Sequence, residues 1–154
     1  MTLSTPYPPN GLKVAIAYLR ARVPSLASSI ASTLPELTEA SPWPDNVFLT
    51  VTEVPGYPAD VDVAQRRGSM LRLDWWAARP TSTRVQWGRA GVATEVVRRA
   101  LDDQPYGQTL DMGADYRDAR VQALYLIDEP SRVPDDPSGY ARYTSQAVLD
   151  WIAA

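Results

Sequence analysis

The chain contains no cysteine and no histidine, and Lys13 is its only lysine. Without cysteine there is no disulfide framework, no thiolate nucleophile and no cysteine-based metal site. Without histidine, the commonest general base and metal ligand is also missing. The serines therefore have no evident activating base, because the single lysine is poorly placed on the first predicted helix. These absences predict a protein that is not an enzyme and that uses no cofactor.

Long apolar runs and strong charge are absent as well. No apolar stretch approaches the ~18 residues that a membrane span requires. The first residues, MTLST, lack a basic region followed by an apolar core, so we expect no secretory signal and no membrane partner. The net charge of −3 means that the protein as a whole is not attracted to a phosphate backbone.

The motifs that would indicate a catalytic or metal site are incomplete. Neither glycine-rich phosphate-binding fingerprint occurs in the chain. Proline-aspartate pairs stand at 44–45 and 134–135, but the acidic-x-lysine strand of a nuclease follows neither. Asp60 and Asp62 lack the glycine and the terminal glutamate of a calcium loop. We interpret these two as solvated loop carboxylates, and we predict no metal site.

What the sequence does contain is proline in clusters and alternating apolar patterns over 154 residues, a length typical of one domain. Pro6, Pro8 and Pro9 exclude a regular helix at the start of the chain. We therefore predict a flexible N-terminal arm over residues 1–9 and a single domain over residues 10–154.

Two segments have the spacing of amphipathic helices. Asn10 is a plausible N-cap, and the apolar residues after it follow helical spacing until Pro24. A second helix is predicted from Thr81 or Ser82 to Asp102. Its predicted apolar face consists of Val85, Val92, Ala93, Val96, Val97 and Ala100.

The period-2 alternation of β-strands appears in the remaining segments. Residues 47–52 and 69–78 are strong strands, 107–112 is a weak one, and 121–127 and 140–151 close the chain. This order predicts an α+β fold: a mostly antiparallel β-sheet of four to five strands flanked by two α-helices, with long loops.

Two of the predicted loops are longer than a hairpin needs, residues 55–68 and 128–140. Proline within them lowers the entropy lost when a loop becomes ordered on binding. Arginine and aromatic residues commonly anchor protein interfaces. We therefore predict that these loops contact another protein, with Arg132 the first residue to test.

An RNA-binding α+β module is the alternative from a different functional class. Arginine pairs at 66–67 and 98–99 lie near tryptophans in sequence. Such a module would present stacking aromatic residues on an open sheet face. An RNA-binding module would be indicated if Trp76 and Arg72 lie exposed on such a face. The acidic net charge favours instead tryptophans that pack under a helix or against a neighbouring subunit.

Six short sequence segments, here called words, follow one another in a fixed order: WP at 43–44, VFLTV at 47–51, LRLDWWA at 71–77, VVRRAL at 96–101, EPSRVPDD at 129–136 and GYARY at 139–143. Together they resemble the tail terminator proteins of tailed bacteriophages, particularly those that infect actinobacteria. The resemblance covers nearly the whole chain, from about Leu12 to Trp151, without one invariant signature.

The resemblance implies a structural virion protein that forms a hexameric ring on the tail tube, at the head-tail junction. Such a ring stops tube polymerisation and joins the tail to a head-closure or connector protein. Its expected partners are further copies of itself, the major tail tube protein and that connector. Genomic DNA would pass through the ring without sequence-specific binding, which a mildly acidic chain suits.

Another neck component, a head-closure or head-to-tail adaptor protein, is the nearest alternative. The helix between strands and the closing strand favour the terminator. The candidate interface residues are Tyr57, Arg66, Arg67, Trp76, Arg132, Asp135, Tyr140 and Arg142.

Overall fold

A seven-stranded, mostly antiparallel β-sheet organises the computed structural model, which describes residues 6–55, 66–103 and 107–154. The α-helices are α1, Gly11–Arg22, and α2, Trp87–Asp102, and short 3₁₀ helices span Pro24–Ser29 and Pro44–Asn46. The strands are β1 Ile30–Ala31, β2 Val47–Val54, β3 Arg66–Ala77, β4 Thr109–Leu110, β5 Ala119–Leu126, β6 Ser131–Arg132 and β7 Ala141–Ala153. The α+β class is confirmed.

The strand order is β1-β2-β3-β7-β5-β4, with β6 paired to β7 beside β5. The two longest strands, β3 and β7, are paired from Arg66 opposite Ile152 to Ala77 opposite Ala141 and form the centre of the sheet. Among the pairs of named strands in the described residues, only β1 and β2 are parallel. The prediction of four to five strands is wrong, because β1 and β6 each contain two residues and so have no alternation to detect.

Helix α1 begins where the sequence predicts. The side chain of Asn10 accepts a hydrogen bond from the Lys13 N–H at 2.9 Å, which confirms Asn10 as the N-cap. The helix ends at Arg22, two residues before Pro24, whose ring cannot continue it. The buried side chains of α1 pack on the sheet and are Val14, Ala15, Tyr18 and Leu19.

Helix α2 begins at Trp87, later than the predicted Thr81 or Ser82. Ser82 caps no helix: its Oγ accepts the Arg84 N–H at 3.2 Å in a local turn, which competes with helix formation. The predicted apolar face is also partly wrong. Val85 precedes the helix, and Val92 points away from the sheet with 64% of its surface exposed. The residues that α2 buries are Ala90, Ala93, Thr94, Val97 and Leu101.

The main core lies between the two helices and one face of the sheet. Alternate residues of β3, Leu71, Leu73 and Trp75, are completely buried there, beside Leu49 of β2 and Leu149 of β7. Burying each such side chain contributes roughly 1.5–3 kcal/mol. Alternation along the strands then places the intervening residues on the opposite face of the sheet.

A second, smaller apolar cluster covers one end of that opposite face. Trp43, Phe48 and Ala78 are its buried members, and Leu34, Leu37, Trp76 and Tyr140 pack against them. The Trp43 indole donates to the carbonyl oxygen of Pro35 at 3.2 Å. The segment over residues 34–43 thus crosses the sheet rather than projecting from it.

The described end of the predicted N-terminal arm, residues 6–9, is attached to the domain. Tyr7 forms a parallel bridge with Tyr116, donates its N–H to the carbonyl of Asp115 at 3.3 Å, and accepts the Arg117 N–H at 2.8 Å. Within the described residues, no helix is long and apolar enough to cross a membrane.

Candidate interface surfaces

Part of the predicted loop 128–140 belongs to the sheet. The Asp128 carboxylate accepts the Ser145 hydroxyl at 2.6 Å and the Gln146 N–H at 2.7 Å, so it binds β7 between the segments that pair with β5 and with β6. Strand β6 follows, and the Val133 N–H donates to the carbonyl of Arg142 at 2.9 Å. Only residues 134–140 project beyond the paired strands, so the projection is shorter than predicted.

The projecting hairpin tip is held by its own polar groups. The Asp136 carboxylate accepts the Ser138 N–H at 3.1 Å and the Ser138 hydroxyl, and the Gly139 N–H donates to the Asp136 carbonyl at 2.9 Å. Gly139 has a φ of 74°, where glycine carries no steric cost. Asp135 is exposed with a φ of 56°, a conformation that aspartate tolerates better than most residues.

An ion network connects this tip to the middle of the sheet. Arg142 at the start of β7 donates to Asp74 Oδ1 through Nε at 3.0 Å, and its Nη2 lies 2.9 Å from the same oxygen. The Arg142 Nη1 lies 3.0 Å from Asp136 Oδ1. The guanidinium also stacks on Trp76, 4.9 Å from the ring centre. Both carboxylate side chains are only 7% exposed, so the network is largely desolvated.

The network shifts the pKa values of Asp136 and Arg142. Burial raises the pKa of Asp136, but hydrogen bonds from Ser138 and from Arg142 outweigh it and leave the pKa below its usual 3.8. Burial likewise lowers the pKa of Arg142, and the two carboxylates outweigh it and leave the pKa raised. Both groups therefore carry full charge near neutral pH.

We expect the tip to lose stability in acid. Because the folded pKa of Asp136 is depressed, its contribution is fully present above the unfolded value of about 3.8 and is lost as pH falls through the lower folded value. The free energy of unfolding, measured against pH, should therefore differ between the natural chain and Asp136→Asn above pH 4, and the difference should shrink below it.

Asp135→Asn is the matched control for this titration, since Asp135 makes no hydrogen bond or ion pair within the described residues. A difference for Asp136→Asn that stays constant down to pH 2 would contradict the assignment.

Arg132 fixes the hairpin to the start of α2. Its Nε donates to Tyr143 Oη at 3.0 Å, and its guanidinium lies 4.9 Å from the centre of the Trp87 ring. Trp87 and Tyr143 meet edge to face at 5.8 Å. Arg132 remains exposed, so one side of its guanidinium is accessible to a partner.

The other predicted interface residues separate into different environments. Trp76, Tyr140 and Arg142 come together on the second sheet face. Arg66 and Arg67 lie in β3 rather than in the predicted loop, and Arg66 forms an ion pair with Asp150 at 3.6 Å. Tyr57 lies outside the described residues.

Trp76 does not meet the condition set for an RNA-binding sheet. Its indole donates to Thr50 Oγ1 at 3.0 Å, Arg142 covers its ring, and the second cluster half-buries it. Arg72 is exposed, but its Nε lies 3.4 Å from Asp74 Oδ2. The tryptophan that would stack on a base is thus engaged within the subunit.

Metal ligation was the other chemistry considered from the sequence. In the three described ranges, no group of three or more acidic residues is arranged to hold an ion. Asp60 and Asp62 fall outside those ranges.

Two further surfaces lie at opposite ends of α2, and the sequence interpretation did not identify them. The α2 start surface is a shallow depression lined by Arg79, Ser82, Arg84, Val85, Gln86, Gly88, Arg89 and Val92. It contains three arginines and no carboxylate. None of these arginines forms an ion pair within the described residues. Their regular spacing in the sequence, every fifth residue, was the available signal.

The β5 groove lies at the other end of the helix and has a volume of about 430 Å³. It is lined by Arg98, Leu101, Asp102, Leu124, Tyr125, Leu126, Ile127, Asp128 and Glu129. Three carboxylates accompany one arginine. That arginine is already neutralised, because Arg98 pairs with Glu129 at 3.0 Å and with Glu95 at 3.3 Å. The groove is therefore acidic, with exposed Tyr125 and Ile127 at its wall.

No protein-family model and no curated protein matches this chain. Among solved structures, the chain is similar to a protein chain in the virion of a native gene transfer agent particle. The two share 11% sequence identity and superpose with a TM-score of 0.54, over 93% of this chain and 95% of the other. The similarity shows a shared fold.

Proposed function

We propose that this chain is a structural subunit of a phage-like virion. The observation that carries the proposal is the fold shared with a chain of the gene transfer agent particle, which spans nearly the full length of both proteins. Because a fold by itself does not determine function, the surfaces of this chain must support the proposal as well.

Within the virion, we propose the role of a tail terminator: a hexameric ring that caps the tail tube and meets the head-side connector. The ordered words of the sequence support this role. In the structure, two of these words form the projecting hairpin and its attachment to the sheet. The word at 129–136 forms β6 and the hairpin tip, and Arg142 of the word at 139–143 fixes that tip to β3. A rigid hairpin loses little entropy when it docks on the tube or connector.

A closed ring requires a heterologous contact, in which one patch of each subunit meets a different patch on the next. The edge strands β1 and β4 offer little for this purpose, because each is only two residues long. Short edge strands limit uncontrolled pairing between copies. Ring contacts are then made by side chains and by the projecting tip, with Asp135, Tyr140 and Arg132 as candidates.

Disrupting the coding sequence in the genome that encodes the chain tests this role. For a terminator we expect DNA-filled heads without tails, together with tail tubes of abnormal and variable length, as seen by negative-stain microscopy. Tails of normal length that fail to join heads would instead indicate a neck adaptor. Normal particles would remove the virion role, and complementation from a plasmid controls for effects on neighbouring genes.

A further inference from the structure

The two ends of α2 carry opposite charge beside exposed apolar residues. The α2 start surface has three arginines, and the β5 groove has three carboxylates with one paired arginine. Of the five large apolar side chains exposed in the described residues, four lie on these two surfaces: Val85 and Val92 on the first, Tyr125 and Ile127 on the second. An exposed apolar group rimmed by charge is typical of an interaction site.

The charges also oppose the dipole of the helix they flank. The N-terminus of a helix is electropositive, yet the first turn of α2 has no acidic residue, and Arg84 and Arg89 lie beside it. The C-terminus is electronegative, yet Asp102 ends the helix and Asp103 follows, and Arg99 in the last turn balances only part of that charge. In the isolated subunit, the arginines at the N-terminus and the aspartates at the C-terminus of α2 therefore interact unfavourably with the helix dipole. A neighbouring subunit with the opposite charge at each end would offset both interactions.

We propose that the occupant of the β5 groove is the α2 start surface of a second copy of this chain. Arg84 and Arg89 of one subunit would face Asp102 and Glu129 of the next, and the exposed valines would cover Tyr125 and Ile127. The surfaces are complementary to each other and not to themselves, so the contact is heterologous. With 16 residues, α2 is about 24 Å long, and the two surfaces lie towards its opposite ends.

This contact makes the proposed ring more specific, because it identifies the surfaces that would join the subunits. Only the closure of the assembly into a ring rests on the proposed function. The contact itself can be tested with the purified chain, without any virion.

Reciprocal charge reversal is the direct experiment. One variant carries Arg84→Glu and Arg89→Glu, and the other carries Asp102→Arg and Glu129→Arg; all four positions are exposed. Each variant alone presents two surfaces of like charge, so its dissociation constant for self-association should rise about a hundredfold or more. An equimolar mixture restores opposite charge at every contact and should associate as the natural chain does, with the two variants in equal number.

Native mass spectrometry with one variant isotopically labelled reads out both the size and the composition of the assemblies. The natural chain should associate at low ionic strength and dissociate as salt increases. Reversing the exposed Glu36 and Glu39 to arginine, away from both surfaces, controls for net charge and should leave association unchanged.

Cysteine cross-linking gives an independent test that does not depend on charge, since the chain has no cysteine of its own. A Val92→Cys and Ile127→Cys double variant treated with a short bis-maleimide should give a ladder of oligomers. Either single variant should give none, because a heterologous contact does not bring equal residues together.

Several results would overturn the proposal: a natural chain that stays monomeric at millimolar concentration and low salt, a reversed variant that still associates, a mixture that fails to recover, or dimers from a single cysteine. Failure of the charge reversals in a chain that still forms rings rejects these surfaces and leaves the proposed function standing. Absence of the chain from the virion rejects the proposed function and leaves the contact testable.

Discussion

Replacing Arg142 by methionine should cost the fold about 3 kcal/mol in the free energy of unfolding, because it strands two carboxylates that are almost desolvated. Arg142 contacts Asp74 and Asp136 at 2.9–3.0 Å, and its own side chain is 16% exposed. Methionine keeps an apolar stem over Trp76, so the decrease in the free energy of unfolding is caused by loss of the charge rather than of packing. Chemical denaturation followed by tryptophan fluorescence measures this decrease.

Arg72→Met is the matched control, since Arg72 pairs with the same Asp74. Its Nε lies 3.4 Å from the carboxylate and its side chain is 46% exposed, so water already screens the pair. We expect a loss below about 1 kcal/mol. A second comparison replaces the pair together: Asp74→Leu with Arg142→Met removes the charge of Asp74, leaves that of Asp136, and should recover part of the stability. Equal losses for the two arginines would contradict a desolvated network.

Gly11→Ala should destabilise the protein by about 2 kcal/mol, although alanine is the better helix former. The first residue of α1 rests directly on β3 and β7. A methyl group there would overlap Ser69 Oγ, and it would lie 2.8 Å from Ser69 Cβ and 3.0 Å from Trp151 Cη2. Rotation of the serine removes the first overlap but not the second, because its Cβ is fixed to the strand.

Gly91→Ala is the control in the other helix. A Cβ at Gly91 meets the hydroxyl end of Tyr143, with Oη at 3.6 Å and Cζ at 3.9 Å, which are ordinary contacts. We expect a gain of about 0.5–1 kcal/mol from reduced chain entropy and higher helix propensity. Adding Ser69→Gly to Gly11→Ala should reveal a favourable interaction of at least about 1 kcal/mol in a double-mutant cycle. If the two substitutions lower the free energy of unfolding additively, α1 does not approach β3 this closely.

The sequence predicts the long elements of this fold well because their signals are local. Asn10 and Pro24 bracket α1, and alternation identifies β3 and β7 to within a few residues. Strands β1 and β6 are not predicted, because a strand of two residues is too short to show an alternation of apolar and polar residues. Val92 was assigned to the wrong side of α2, since apolar identity alone cannot tell a core face from an exposed one.

The candidate surfaces are harder to predict because they depend on distant residues. Asp74 and Arg142 stand 68 positions apart, and only the β3–β7 pairing brings them together. The β5 groove likewise combines the end of α2 with residues that follow β5. No local pattern contains such pairs. In contrast, the segment at 129–136 is contiguous in the sequence, and its anchoring by Arg142 gives a physical reason for the rigidity of the hairpin.

A cryo-electron microscopy reconstruction of the particle that encodes this chain tests the proposed role most directly. We predict six copies in a ring at the head-proximal end of the tail tube, with the α2 start surface of each copy in the β5 groove of the next. Density for the chain in the capsid shell or at the tail tip, or its absence from the mature particle, would contradict the account.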